Sequence, residues 1–418
     1  MRPLLLGLLV AACATPDEHG TTTGGHETAT VTLTAEQAAF GCMLMGTGAS
    51  THVMCNHGHS ISFRSENLWE RHRALAANGV GEGSEADLMM ADPTGHMGAA
   101  LPEPLTPMVQ ARVGERLRIR LVSYGPQIHD FHVHGHWWKS ADGPADVREL
   151  LPAQVYDGVE FFAGAGAESP EPRSGPGDWM YHCHVEPHIA SGMWGVMRVR
   201  PAGATDGLDA AGRYALELPT PLGASGQTID VFVAAVETPL AIAREVLPGA
   251  KELSTVERLA RIYVPLADQT AFDAATAKSV RGLLSTQRET WQPWALVLRQ
   301  GTTVKVHLKN LLPDAPATLH PHGVKTAIGS DGTTPESVAK PGGGVVTYEW
   351  TADTAGTWPL HDHARTLENL GRGLFAALVV KSPEDEKRIT RDYLLVFHDY
   401  DHDWFMGFEP GASGGGGH

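Results

Sequence analysis

The chain is short of positive charge, of cysteine and of long apolar runs. Lys and Arg number 32 against 48 Asp and Glu, and the formal net charge is -16 over 418 residues. Such a balance speaks against nucleic acid as a partner and suits a cationic substrate or plain solubility. The apolar run Leu4 to Val10 is too short to cross a bilayer as a helix. There are only four cysteines, so each must be accounted for singly.

Gly (47), Pro (28) and His (22) are plentiful. Short apolar runs alternate with turn signals, which points to an all-β architecture of sandwiches or barrels. The length allows two or three domains. Many histidines fall two apart, and on a strand residues i and i+2 share a face.

Arg2, the run Leu4 to Val10 and then Ala11-Ala12-Cys13 read as a processing segment. Val10-Ala11-Ala12-Cys13 resembles a bacterial lipobox, in which Cys13 carries the lipid; an ordinary secretory signal is the other reading. Either implies export, to the bacterial periplasm or cell surface. Residues 14–30 read as a flexible tether and residues 406–418 as a disordered Gly-rich tail. Two readings of Cys42 and Cys55 stay open. They form a disulfide, or, with Met43, Met45, His52, Met54, His57 and His59, they bind soft Cu(I). Met89, Met90, His96 and Met97 form a second Met/His cluster.

Tyr181-His182-Cys183-His184-Val185-Glu186-Pro187-His188, with Met193 beyond it, is the most informative stretch. Cys, two His and a weak axial Met make a blue-copper electron-transfer site. The remaining His comes from His129-Asp130-Phe131-His132-Val133-His134-Gly135-His136. On a strand His182 and His184 point away from Cys183, free to serve other metals.

The plan recurs. Val109 to Leu121 leads into the His129 block, and Ala295 to Asn310 leads into His320-Pro321-His322-Gly323. Gly177-Asp178-Trp179 precedes His182, and Gly356-Thr357-Trp358 precedes His361-Asp362-His363. Two β-sandwich domains of like topology follow, residues 31–203 and 204–405, with a helical insertion expected around 239–285 and a last strand near Tyr393 to His398.

These blocks resemble the cupredoxin domains of the multicopper oxidases, Greek-key β-sandwiches, over roughly residues 100–405. The second half also resembles the A domains of ceruloplasmin. Asp362 departs from the family's usual His-Ser-His. The Cys-bearing domain comes first, which resembles the two-domain oxidases that form trimers. The resemblance implies four copper ions. It assigns His129, Cys183, His188 and Met193 to type 1 copper, and His132 and His320 to type 2. One type 3 copper takes His134, His182 and His363, and the other takes His184, His322 and His361. It also makes Asp331, in Asp331-Gly332, a proton relay, although an Asp-Gly pair is equally a turn. Glu186 is either a helper at the type 1 site or a surface carboxylate. His136 falls outside this set and reads as a core or supporting residue, while His398 and His402 read as a solvated acidic loop or a surface metal site.

The expected activity is a multicopper oxidase, laccase- or ferroxidase-like. It would couple one-electron oxidation of a phenol, Cu(I) or Fe(II) to reduction of O2 to water. The alternatives are a copper nitrite reductase-like enzyme and a non-catalytic copper-binding lipoprotein.

Overall fold

A computed structural model describes residues 43–45, 52–54, 58–67, 71, 104–165, 174–185, 188–189, 191–205, 217–243, 255–286 and 292–400. Strands dominate. Besides two short hairpins, Met43–Met45 with His52–Met54 and Trp138–Ser140 with Gly143–Ala145, those of the first half are β1 (His59–Ile61), β2 (Met108–Arg112), β3 (Arg116–Tyr124), β4 (His129–Val133), β5 (Val147–Leu150), β6 (Val155–Phe162), β7 (Gly177–Cys183) and β8 (Trp194–Arg200). The second half supplies β9 (Thr228–Ala243), β10 (Thr255–Leu266), β11 (Ala295–Arg299), β12 (Thr303–Asn310), β13 (His320–Pro321), β14 (Lys325–Thr326), β15 (Gly344–Thr351), β16 (Gly356–His361), β17 (Phe375–Lys381) and β18 (Arg391–Asp399).

The strands form two sandwiches. The first packs a sheet ordered β6-β3-β18-β1 on one ordered β2-β8-β7-β4-β5. The second packs β10-β9-β12-β15-β14 on β11-β17-β16-β13. Each sandwich closes over its own core, one around Phe131, Tyr181 and Phe397, the other around Leu308, Tyr348 and Trp350. A third apolar layer glues β3 and β18 of the first to β17 of the second, through Val122, Tyr124, Val396, Phe375 and Val379. The layers therefore run from the β7 sheet, to the β3 sheet, to the β17 sheet, to the β12 sheet.

Burial follows this stacking. β12 alternates half-buried and buried, as a strand with one solvated face should. β3, β17 and β18 have both faces covered; β17 is apolar from Phe375 to Val380, whereas β3 and β18 carry buried polar groups among their apolar ones. Arg120 is fully buried within this stack. Its guanidinium bonds both oxygens of Asp392 at 2.7 and 2.9 Å and Thr357 Oγ1 at 2.8 Å, so it ties β3 and β18 to β16.

Two elements differ from expectation. Among its described residues the stretch 239–285 is strand at the start and helix at the end. β9 and β10 pair antiparallel from Phe232–Leu266 to Ala243–Thr255, and only Gln269–Ala274 and Ala277–Thr286 are helical. Cross-strand packing against the third apolar layer outweighs the helix propensity of its Ala, Leu and Glu. The strand Tyr393–His398 lies in the first sandwich, where β18 runs parallel to β3 and antiparallel to β1. It takes the place that β9 holds beside β12 in the second sandwich. Its neighbours there, Leu117, Ile119 and Leu121, share one core with Tyr393, Leu395 and Phe397.

Candidate metal centre

β4 and β7 are neighbours, with Tyr181 opposite Val133, His182 opposite His132, and Cys183 opposite Phe131. Strand alternation turns His129, Phe131, Val133, Tyr181 and Cys183 into the core. It turns His132, His134, His182 and His184 onto the outer face.

Inside, His129 Nδ1 and His188 Nδ1 lie 3.2 Å apart, and Cys183 Sγ lies 3.5 Å from His188 Nδ1 and 3.8 Å from His129 Nδ1. Met193 is fully buried in the same core, and its backbone bonds Cys183 N and His188 O at 2.9 Å. The Asp130 amide donates to the sulfur at 3.4 Å. The outer nitrogens are occupied: His188 Nε2 bonds Gln127 Oε1 at 2.8 Å, and His129 Nε2 lies 3.3 Å from Asp399 Oδ2. Both Nδ1 lone pairs are thus left for the centre. Ligands about 2.0–2.3 Å from one ion and spread tetrahedrally lie about 3.4–3.6 Å from each other. The observed spacings fit that, and a cysteine sulfur with two imidazoles is a donor set that suits copper. Burial pulls the His129 pKa down, but Asp399 and Cys183 override it and lift it to about 9. Asp399 is held well below the usual carboxylate range; burial opposes this, and His129, His59 and the Gln127 amide outweigh it.

The outer faces carry two imidazole quartets built on one hydrogen-bond plan. His132 Nδ1 donates to Asp146 O at 2.8 Å, and His320 Nδ1 donates to Asp331 O at 2.7 Å. His182 Nδ1 donates to Cys183 O, and His361 Nδ1 donates to Asp362 O, each at 2.9 Å. Fixing Nδ1 on a carbonyl leaves Nε2 bare for a metal. His134 and His182 then bring their Nε2 atoms to 3.1 Å, and His322 and His361 bring theirs to 3.3 Å. Burial first, then the neighbouring imidazoles, lowers the pKa of His182 and of His361 to about 4. Crowded imidazoles that resist protonation could hold a metal ion. His184 and His363 complete the rings of contact in their own halves.

Among the described residues no ring of one quartet touches a ring of the other. The first faces outward from the β7 sheet, and the second lies on the β16–β17 face that meets the β3 sheet, where Tyr124 sits 6.4 Å from His361. Both sheets of the first sandwich, about 10 Å apart, stand between them.

The remaining predicted residues fall as follows. Asp331 adjoins His320, with Oδ2 3.6 Å from its Nδ1 and accepting from Thr333 at 2.7 Å. Asp362 is buried and turned inward, accepting from the amides of Thr318 and Arg365 and from Asn369. His136 is a core residue: it donates to His134 O and accepts from the Gly164 amide, both at 2.8 Å. His398 is neither a solvated loop residue nor a surface ligand. It is fully buried, packs at a tilt against Phe375 and edge-on to Tyr400, and bonds Leu370 O. His59, grouped by sequence with the Met cluster, instead stacks on His188 at 4.3 Å. Gln127 and Asp399 carried no motif that could have announced them. Cys13, Cys42, Cys55, Met89, Met90, His96, Met97, Glu186 and His402 lie outside the described residues; of the Met/His hairpin only the backbone pairing of Met43–Met45 with His52–Met54 is described.

Residues 84–203 match a family model described as multicopper oxidase, and residues 283–385 match a second with the same description; together they cover more than half of the chain. A probable nitrite reductase-hydroxylamine oxidoreductase fusion protein of Kuenenia stuttgartiensis is 35% identical over 92 residues, 22% of this chain and 10% of that protein. An iron multicopper oxidase, fer1, of Mycosarcoma maydis is 32% identical over 91 residues, 19% of this chain and 14% of that protein. The similarity thus spans only a small part of the length of these curated relatives. Among solved structures, a multicopper oxidase is 20% identical, over 66% of this chain and 78% of that one, with a TM-score of 0.21. A copper nitrite reductase from Nitrosomonas europaea is 17% identical, over 66% and 83%, with a TM-score of 0.19. Scores this low carry no weight for what this chain does.

Proposed function

We propose, since this chain belongs to the multicopper oxidase family, that it oxidises a one-electron donor and delivers four electrons to O2, forming water. The observation that carries this reading is the pair of matched imidazole quartets, one of them on the strand that bears Cys183. Bound copper would supply the one-electron steps. His129, Cys183, His188 and Met193 would hold type 1 copper. His132 with His320 would hold type 2. His134, His182 and His363 would hold one type 3 ion, and His184, His322 and His361 the other. Cys183 is joined to His182 and His184 through the backbone, and His182 Nδ1 also bonds its carbonyl, so the two kinds of centre are wired together at one strand end. Asp331, beside His320, is placed to hold and pass on a proton.

The eight imidazoles serve one cluster only if a second copy brings its His320 quartet onto the outer β7 face. A closed ring of three copies, each pairing its first sandwich with the next one's second, satisfies this. The donor is Fe(II), Cu(I) or a phenol; similarity to an iron multicopper oxidase puts Fe(II) first among those to test. Export with Cys13 lipidated rests on the N-terminal sequence alone.

The test is copper content, oligomeric mass and O2 uptake on the purified protein, with Fe(II), Cu(I) and a dimethoxyphenol as donors. Four copper ions per chain, a trimer and O2 consumption with at least one donor are expected. Turnover with nitrite but not O2 would favour the nitrite reductase reading, which similarity to the Kuenenia fusion protein keeps in view. Copper bound with neither acceptor reduced would leave a copper-binding lipoprotein.

A further inference from the structure

Behind the Cys183 centre lies a carboxylate that the ligand set does not require. Asp399, the last residue of β18, is 1% exposed. Its Oδ2 lies 3.3 Å from His129 Nε2 and accepts from the Gln127 amide at 2.9 Å. Gln127 in turn bonds His188 Nε2. One carboxylate therefore braces one imidazole directly and the other through a single residue. Its Oδ1 lies 3.3 Å from His59 Nε2, and His59 Nδ1 is 2.9 Å from Ser191 Oγ, in the loop between His188 and Met193. The backbone is shaped to admit it. Gly125 has φ +113°, and a Cβ there would come within 2.7 Å of Asp399 Cβ and 2.8 Å of its Oδ2.

We propose that Asp399 is a positioning residue that sets the redox balance of the His129–Cys183–His188–Met193 centre, and that His59 tempers its charge. The inference rests on reading that centre as type 1 copper. A buried anion beside a metal stabilises the more positive oxidation state, because little solvent screens it. It also fixes His129 with Nδ1 toward the ion, as carboxylate partners of ligating imidazoles do. The polar ring edge of His59, 3.3 Å from Oδ1, disperses part of that charge, so the two residues act with opposite sign.

The experiment is a redox titration of the visible blue absorption on the copper-loaded full chain, with copper counted per chain. Asp399→Asn keeps the shape and removes the charge. It should retain the blue band and shift the Cu(I)/Cu(II) affinity ratio tenfold or more toward Cu(I), which is a rise of at least about 59 mV for one electron. His59→Phe removes the polar ring edge beside Oδ1 and keeps the carboxylate, so the potential should fall. If Asp399→Asn does not fold, the sign of the His59→Phe shift decides. An unchanged potential in Asp399→Asn, or a rise in His59→Phe, with the blue band intact, overturns the inference. Absence of a blue band in the unaltered protein overturns the reading beneath it instead.

Discussion

The two sandwiches present the same outer face and opposite interiors. Each offers four imidazoles, two of them held by the same carbonyl bonds, and each uses one inward side chain between two of them. In the first that side chain is Cys183, facing His129 and His188. In the second it is Asp362, facing the Thr318 and Arg365 amides and Asn369. Counted from the paired histidines, the places of His129 and His188 fall to Ala317 and Leu367, and Leu367 is 90% exposed. One inward position thus sets a sulfur against two imidazoles, and its twin holds a turn. The outer quartet needs only strand alternation, whereas the inner centre needs a loop, a distant strand and four particular side chains.

The sharpest break in this comparison is Cys183→Ser. Oxidase activity should fall more than ~100-fold, beyond the loss of an outer partner. The blue absorption should vanish while about three copper ions per chain stay, by metal analysis. The complementary substitution, Asp362→Cys, should create no second blue centre.

His132→Ala and His320→Ala should each depress activity by roughly 10–100-fold or more, and to a similar degree, because one cluster needs both. Mixed trimers of the two variants should regain part of the activity, since some faces pair intact quartets. Mixtures no more active than either parent would mean that copies do not share a site.

Asp362→Ala should act on stability rather than on electron transfer. It strands two amides and an amide side chain in the core, and should cost about 2–4 kcal/mol, read from urea unfolding, with the blue band unshifted. The smallest effect concerns acid. Burial raises the Glu160 pKa, but Arg388, Arg118 and Arg116 bring it down to about 2. A depressed carboxyl pKa stabilises above the ordinary range and is lost as pH falls from about 4 toward 2. Glu160→Gln should therefore flatten that slope for the first sandwich and cost about 1–2 kcal/mol at neutral pH.

Much of this was legible beforehand. Alternation of His and apolar residues around Cys183 and in Leu319 to His322 fixes which side chains turn outward, since a strand has a period of two. The repeat of Gly177-Asp178-Trp179 in Gly356-Thr357-Trp358 announces two like sandwiches. Asp399 and His59 were not legible, because they reach the centre only through the pairing of β18 with β1, residues more than three hundred apart. The helical insertion expected over 239–285 is borne out only at Gln269–Ala274 and Ala277–Thr286; before them β10 is held as a strand by its twelve cross-strand partners and the layer beneath, and local composition does not contain either. His398 misled because its acidic neighbours read as solvent-facing, whereas the strand buries both faces.

The strand β18 also dictates an order of events at the ribosome. Residues 228–381 hold every strand of the second sandwich, so that unit can close as soon as they emerge. The first sandwich, although translated earlier, lacks the strand between β3 and β1 until residue 399 is out, and its centre must wait with it. The half made first is finished last, with the sequence-distant contacts that slow folding. On the copper reading proposed above, a metal at Cys183 would have to follow the arrival of β18 rather than precede it.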